Sequence, residues 1–488
     1  MNWNLIIIIA GVLSYLIGIV ALFIVPANRK PGEATAWLML IFLAPFLGVI
    51  LFLLLGSPKL SRQRRAQQRN MDDWFQRLLA DARQIPALRP VVEPPVPARA
   101  EPFVRLIANL GGLPPSAGNT VELLSDYQGA VDRIVADIDN AQQYVNVEYF
   151  AFADDSTGGR VVDALIRAHE RGVTCRVLID QMGNFGMNRP ILKRLRDSGI
   201  AAHNMLPLRP FENQWNRPDL RNHRKLVVVD GTIGFTGSQN LIDDHYHKSS
   251  NIRKGLYYIE VVARVTGPGV QQLNAAFITD WYAETGERPE VTITPDAHSI
   301  PQATGDVLCQ VLPSGPGFEN ENNLKLFVAL FHAARQRITL ANPYIVPDYS
   351  IMLALTSAAL RGVEVTLITS EIGDQFMVYH AQRSYYEQLL KAGVKIYRYR
   401  SPVMLHSKIL SIDDDIAVIG SSNMDIRSFQ LSLEVTLICY DTTVVADMHN
   451  VFADYLQHSR PIRLDEWQAR PLHTKLFDNL ARLTSALQ

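Results

Sequence analysis

The sequence predicts an α/β protein: two N-terminal transmembrane helices, then a duplicated α/β/α domain whose two copies build one shared active site. Three observations predict it. Two long uncharged stretches open the chain. An order of strands, helices and capping glycines then occurs twice. Each copy carries the same His-x-Lys-x4-Asp signature, at equivalent places.

The 488 residues exceed one ordinary core, so several domains are expected. Their expected division is two transmembrane helices over 1–58, a basic juxtamembrane segment and Pro-rich linker over 59–112, a first half over 113–295, and a second half with a C-terminal helical tail over 296–488. With 48% hydrophobic and 19% charged residues, the composition is that of a globular protein. Lys+Arg 47 against Asp+Glu 48 argues against coating nucleic acid through bulk charge, so no nucleic-acid partner is expected. Cys175, Cys309 and Cys439 are too scattered for a disulfide framework or a metal-ligand set.

Residues 5–25 and 34–55 contain no charge, and each is long enough to cross a bilayer as a helix, which takes about 20 residues. The first lacks the basic leader of a signal peptide, and the second follows at once. Arg29 and Lys30 lie between them, while Lys59, Arg62, Arg64, Arg65 and Arg69 follow. The larger basic cluster stays inside, which predicts a multi-pass protein integral to the membrane with the bulk of the chain in the cytoplasm. The same cluster suits anionic headgroups. Residues 71–84, with Trp74, Phe75, Leu78 and Leu79, suggest a short amphipathic helix on the membrane surface. Six prolines between Pro86 and Pro102 then suggest a semi-rigid spacer.

From about residue 115 the duplication begins. Strands are expected at 144–150 and 174–179, and again at 337–344 and 364–368. The intervening helices end in Arg171-Gly172-Val173 and Arg361-Gly362-Val363. Ser198-Gly199-Ile200 and Ala392-Gly393-Val394 close the next helix of each half, glycine suiting the left-handed cap. Strands alternating with helices of this length imply a mixed or mostly parallel sheet covered by helices. The loop after Gly199 is the longer one, and its Arg209, Phe211, Trp215, Arg217 and Arg221 suit either a membrane interface or an ordinary packed loop. Residues 460–488 read as helical, with Trp467, Leu472, Leu476 and Leu480 on an apolar side whose partner the sequence does not name.

The chemistry lies in the signature. His223-Arg224-Lys225, Asp230 and Gly237-Ser238-Gln239-Asn240 match His406-Ser407-Lys408, Asp413 and Gly420-Ser421-Ser422-Asn423 at every spacing. Alternate strand residues face one side, so imidazole and ammonium meet one site. The hydrophobic runs 226–229 and 409–412 carry each strand into the core. The Gly-Ser-x-Asn turns return hydroxyl (Ser238, Ser421) and amide (Asn240, Asn423) groups towards it. Such donors suit a phosphate diester, with Lys225 and Lys408 neutralising charge. The two histidines could then attack phosphorus and protonate the leaving oxygen. No metal and no cofactor is required, and no carboxylate cluster is evident.

These residues resemble the phospholipase D superfamily, over about residues 115–460. The resemblance implies covalent catalysis with one phosphorylated histidine and a second acting as acid and then base. It favours His223 as nucleophile and His406 as proton carrier, although the sequence alone does not separate this from the reverse. Lys225, Lys408, Asn240 and Asn423 match phosphate-binding positions. Asp230 and Asp413 match aspartates expected to bond backbone. A carboxylate orients each histidine in this family. Glu434, eleven residues after Asn423, is in register as the second copy's support, while the same count from Asn240 reaches Asn251, leaving Glu260 as the first copy's candidate. Two N-terminal spans, a linker and two motif halves further resemble the bacterial cardiolipin synthases, as does Asn423-Met424-Asp425-Ile426-Arg427-Ser428-Phe429. That resemblance implies transfer of a phosphatidyl group between two phosphatidylglycerol molecules, membrane phospholipids being the partners. A hydrolytic phospholipase D, a phosphatidyltransferase with another headgroup and a tethered nuclease are the alternatives.

Overall fold

The computed structural model describes residues 3–27, 29–57, 59–86, 88–183, 186, 188–208, 217–289, 302–319 and 321–485. The chain forms two compact units, Met1–Lys59 and Leu60–Gln488.

In the first unit, Trp3–Ile24 is one helix, long and apolar enough to cross a membrane. The second expected span is interrupted. Pro31–Leu43 and Pro45–Leu55 are separate helices, broken at Ala44 with φ −141° and ψ 75°. The ring of Pro45 pushes the residue before it out of helical geometry. One continuous spanning helix therefore stands where two were expected. Pro31–Leu43 and the first helix share a small core of Ala21, Val25, Ala34 and Ile41.

Among the described residues, the second unit is organised by one 16-stranded sheet. In the first half, Tyr144–Tyr149, Thr174–Asp180 and Ala201–Met205 are parallel. Lys225–Val229, Ile233–Gly237, Val262–Thr266 and Ser116–Leu124 extend it with antiparallel pairings. The second half repeats that order. Arg337–Ala341, Glu364–Ser370 and Lys395–Tyr399 are parallel, and Ile409–Ile412, Ile416–Gly420, Ser432–Tyr440 and Val307–Ser314 follow antiparallel. The halves join where Ser116–Leu124 pairs with Val307–Ser314, Ser116 opposite Cys309.

The uninterrupted Leu226-Val227-Val228-Val229 run is buried on both faces because helices cover both. Val227 and Val229 pack under Tyr127–Asp139, Gly158–Glu170 and Asn188–Asp197. Leu226 and Val228 face a cluster that joins Val270 and Leu273 of Val270–Thr285 to Val444, Met448 and Phe452 of Thr442–Gln457. One core thus draws on both halves.

Three surface readings change. Arg62–Gln84 is a single helix, and of the four apolar residues expected on a membrane surface Trp74 and Phe75 pack with buried Met71 against Phe277, Ile278 and Trp281, while Leu78 and Leu79 are half-buried. Arg64 anchors it through a two-pronged ion pair with Glu284, at 2.8 and 2.7 Å. The proline-rich stretch is docked rather than a free spacer: Arg99 pairs with Asp413 and Asp415, and Ala100, Phe103 and Ile107 enter the second half's core. In the long loop, Arg209, Phe211 and Trp215 lie outside the described residues, as does the expected boundary at 295. Arg217 pairs with Asp219, and Arg221 is buried against Asp180, as the packed-loop alternative has it for these two. The C-terminal helix Leu472–Arg482 docks through Asp478, which accepts from His380, Arg383 and Arg470, while Leu472, Leu476 and Leu480 stay exposed.

Candidate active site

The two signatures open matching strands, and both histidines line one cleft of about 520 Å³. Each histidine is held by the opposite half. Arg221–Asn222 pairs in parallel with the start of Ser432–Tyr440, and the His223 N–H donates to Leu433 O at 2.8 Å. Val403–Leu405 pairs in parallel with Tyr257–Ile259, and the His406 N–H donates to Ile259 O at 2.9 Å. The next residue on each partner strand is a glutamate. His223 Nδ1 therefore lies 3.0 Å from both carboxylate oxygens of Glu434, and His406 Nδ1 2.6 Å from Glu260 Oε1. The pairing is crossed: Glu434 supports the first copy's histidine and Glu260 the second's. With Nδ1 committed to a carboxylate, Nε2 is the ring nitrogen left for chemistry.

Glu260 and Glu434 are structurally equivalent despite their different sequence counts. Ser238 N–H donates to Val261 O at 3.0 Å, and Ser421 N–H to Val435 O at 3.1 Å, so each glutamate sits one residue before the carbonyl that its motif serine meets. A Cβ at Gly237 would meet Val261 O at 2.3 Å, and one at Gly420 would meet Val435 O at 2.6 Å. The motif glycines are what let the glutamate strands come this close. Between Asn240 and Glu260 the first half carries extra chain, including the helix Ser249–Lys254 on which Asn251 sits. That insertion moves Glu260 out of the simple count.

The serine reading changes. The Ser421 hydroxyl donates to Glu434 Oε2, and the Ser238 hydroxyl accepts from Val261 N–H at 3.0 Å. Both side chains hold the glutamate strands, and neither lines the cleft. Asn240 and Asn423 do line it. Asn240 is held from behind, its Oδ1 accepting from Ala151 N–H at 3.2 Å and its Nδ2 donating to Tyr246 Oη at 3.0 Å.

Lys225 and Lys408 are buried behind the rings, each Nζ donating to the carbonyl of its own histidine at 2.7 Å. Lys408 Nζ also lies 3.3 Å from both nitrogens of His406. Asp230 and Asp413 stand at the far ends of the motif strands. Asp230 accepts from the N–H groups of Gln142, Gln143 and Tyr144 at 2.7–2.9 Å, and Asp413 from Arg335, Gln336 and Arg337 at 2.7–3.2 Å.

Burial sets the electrostatics. It pulls His223 down to about 4, with Lys225 adding to the fall and Glu434 opposing it. It lowers Lys225 to about 7 and Lys408 to about 8, each opposed by the two glutamates. His406 is lowered by burial, while Glu260 and Asp374 work to raise it. Burial alone would raise Glu260, yet the His406 and Lys408 charges hold it below the usual range. The site is a pair of buried His-Glu dyads backed by two buried lysines.

Among the described residues, one group could present ligands to a metal ion, Asp155, Asp243 and His247, with donor atoms within 4.8 Å of one another. The sequence had shown no such cluster. Both carboxylates are occupied by backbone N–H groups, of Thr157, Gly158 and Asp243, and the group does not line the cleft.

A family model described as "Cardiolipin synthase, PLD-like domain" matches residues 134–281 and 327–456, more than half of the chain. The chain belongs to the cardiolipin synthase family of phospholipase D-like proteins. A second model, "Phospholipase_D-nuclease N-terminal", matches residues 12–57. Cardiolipin synthase A of Proteus mirabilis (strain HI4320) is 32% identical, covering 95% of each chain. Cardiolipin synthase of Geobacillus kaustophilus (strain HTA426) is 32% identical, covering 96% of this chain and 91% of its own. Among solved structures, the phosphatidylserine synthase of Haemophilus influenzae Rd KW20 matches with a TM-score of 0.58 at 16% identity, over 79% of this chain and 99% of that one, which shows the shared fold.

Sequence reasoning missed part of what this cardiolipin synthase-family cleft contains. Phe150, Gly183, Tyr344, Asp374 and Gln375 line it from loops that follow the parallel strands. The rule that α/β sheets bind ligands beyond the carboxyl ends of their strands would have pointed to them. Tyr246 and Lys248 come from the first-half insertion, and no repeat logic could find them.

Proposed function

We propose that this chain is a phosphatidyltransferase that makes cardiolipin and glycerol from two phosphatidylglycerol molecules through a phosphatidyl-histidine intermediate. The observation that carries it is the pair of crossed His-Glu dyads in one cleft, in a chain whose relatives over nearly full length are named cardiolipin synthases.

His223 Nε2 attacks phosphorus of the first lipid, the bond to the glycerol oxygen breaks, and imidazolium His406 gives that oxygen its proton. Glycerol leaves. A headgroup hydroxyl of the second lipid gives its proton to neutral His406 and attacks phosphorus, and the bond to His223 breaks. Atoms and charge balance without a further reactant, and His406 serves as acid and then as base. The surroundings support this division. Against the lowering of His406 by burial, Glu260 and Asp374 act to raise it, and three tyrosine rings surround it, whereas His223 lines the cleft together with Arg221 and Arg427. Asn240 and Asn423 meet the phosphate oxygens, and Lys225 and Lys408 supply positive charge from behind the histidine rings.

The N-terminal unit anchors the enzyme where its substrates are. Trp3–Ile24 spans the bilayer and the broken pair Pro31–Leu43 and Pro45–Leu55 returns through it, leaving the catalytic unit on the cytoplasmic side of the bacterial cell membrane.

Membranes bearing the protein, given labelled phosphatidylglycerol, yield cardiolipin and free glycerol in this reading. Phosphatidic acid as the sole lipid product would sink it in favour of hydrolysis. His223→Ala and His406→Ala each abolish turnover, and a phosphatidyl-enzyme trapped in the His223→Ala protein would reverse the two roles.

A further inference from the structure

The cleft is unlike at its two ends, and the difference is one of charge. On the His223 side, Arg221, Asp425, Arg427 and Ser428 contribute to the wall, which there carries two guanidinium groups and one carboxylate. On the His406 side lies a network built by both halves. Asp374 accepts from Lys248 Nζ at 3.0 Å, from Tyr258 Oη at 3.0 Å and from Tyr344 Oη at 2.5 Å. All four residues line the cleft. Asp374 is 8% exposed, and Lys248, at 43%, has hydrogens left to donate. The rings of Tyr258 and Tyr344 stand 5.5 and 6.2 Å from that of His406.

This end suits a neutral ligand better than a phosphate. A carboxylate held ionised by Lys248 repels a phosphodiester. What it offers is a set of mixed donors and acceptors: ammonium hydrogens, phenol oxygens whose own protons point at Asp374, and a carboxylate with lone pairs to spare. A neutral ligand with adjacent hydroxyls satisfies both kinds at once. Lys248 comes from the stretch of chain by which the first half exceeds the second between its motif asparagine and its glutamate. The twofold repeat of the fold therefore does not make a second such network at His223.

We propose that Lys248, Tyr258, Tyr344 and Asp374 form a polyol subsite that grips adjacent hydroxyls of a glycerol headgroup beside His406. The subsite rests on the phosphatidyltransferase reading and names what selects the alcohol in it. The alcohol enters and leaves next to His406, so the same residues would meet the departing glycerol and the attacking headgroup.

The test uses full-length protein in phosphatidylglycerol vesicles with labelled glycerol and 1-propanol competing for the phosphatidyl-enzyme. Wild-type enzyme is expected to incorporate glycerol over 1-propanol by about tenfold or more per mole, since propanol lacks the second hydroxyl and leaves buried polar groups unmet. Asp374→Asn and Tyr344→Phe also alter the surroundings of His406, so each is expected to slow transfer overall and to bring that ratio down to about one among the products that still form. Lys248→Met, at an exposed position, guards against a variant that fails to fold and is expected to lower the ratio in the same direction. An unchanged ratio in the variants that turn over, or no preference in the wild type, would overturn the subsite alone. A wild type that transfers no phosphatidyl group to any alcohol would overturn the reaction beneath it.

Discussion

Crossing the dyads ties each histidine's competence to a residue on the other half. In a neutral imidazole the carboxylate fixes the tautomer, so replacing it by an amide presents the wrong nitrogen to the substrate. Loss on the order of 10²–10⁴-fold in kcat is expected for Glu434→Gln and for Glu260→Gln. The two losses should differ in kind. A substrate with a nitrophenyl leaving group needs no proton from His406, so Glu260→Gln should recover most of the release rate on it and Glu434→Gln should not. Equal rescue of both would refute the crossed roles. The buried lysines predict a pH profile. Their values, about 7 and about 8, lie below the ordinary ammonium, so the charged forms are present below pH 7 and lost as pH rises through 8. The kcat/KM for phosphatidylglycerol should fall across that window, and a flat profile to pH 9.5 would contradict it. His223, near 4, adds no acidic limb between pH 5 and 7.

Among the elements, the motif strands depend on their distal aspartates. Asp230 and Asp413 adopt left-handed backbone at φ 51° and 50° and collect three backbone N–H groups each. Asp413→Ala would leave those donors unmet in a buried corner that also holds Arg99, and about 2–3 kcal/mol of stability should go with it. A fall in Tm with active-site chemistry otherwise intact in the residual folded enzyme is the expected result, and a Tm unchanged within about 1 °C would refute it. The helix Arg62–Gln84 shows how an element's character can mislead. Its apolar side looked like a membrane face, yet Trp74 and Phe75 of that side pack against a cluster that includes Phe277 and Trp281, and Arg64 locks the helix to Glu284. Periodicity reports that a helix has an apolar side and is silent about what covers it.

At the scale of the molecule, the boundary at Lys59 and Leu60 separates an apolar helical unit from the body that holds both motifs. Removing residues 1–58 should leave that body folded, with activity on detergent-dispersed lipid retained and activity on vesicles lowered about tenfold or more, since donor and acceptor both reside in the bilayer. Undiminished vesicle activity would refute anchoring by those helices. By itself the sequence determined the duplication, the α/β order of each half and the spacing of both signatures, because local periodicity and chain-adjacent motifs are carried by consecutive residues. It also marked Glu260 and Glu434, but assigned each to its own half. Only tertiary structure decided the crossing, since it arises from two short parallel pairings between segments some 150–210 residues apart, Tyr257–Ile259 with Val403–Leu405 and Arg221–Asn222 with Ser432 and Leu433. Only tertiary structure, too, brought Asp374 beside Lys248, for strand pairing and side-chain packing are set by the whole core rather than by neighbours in the chain.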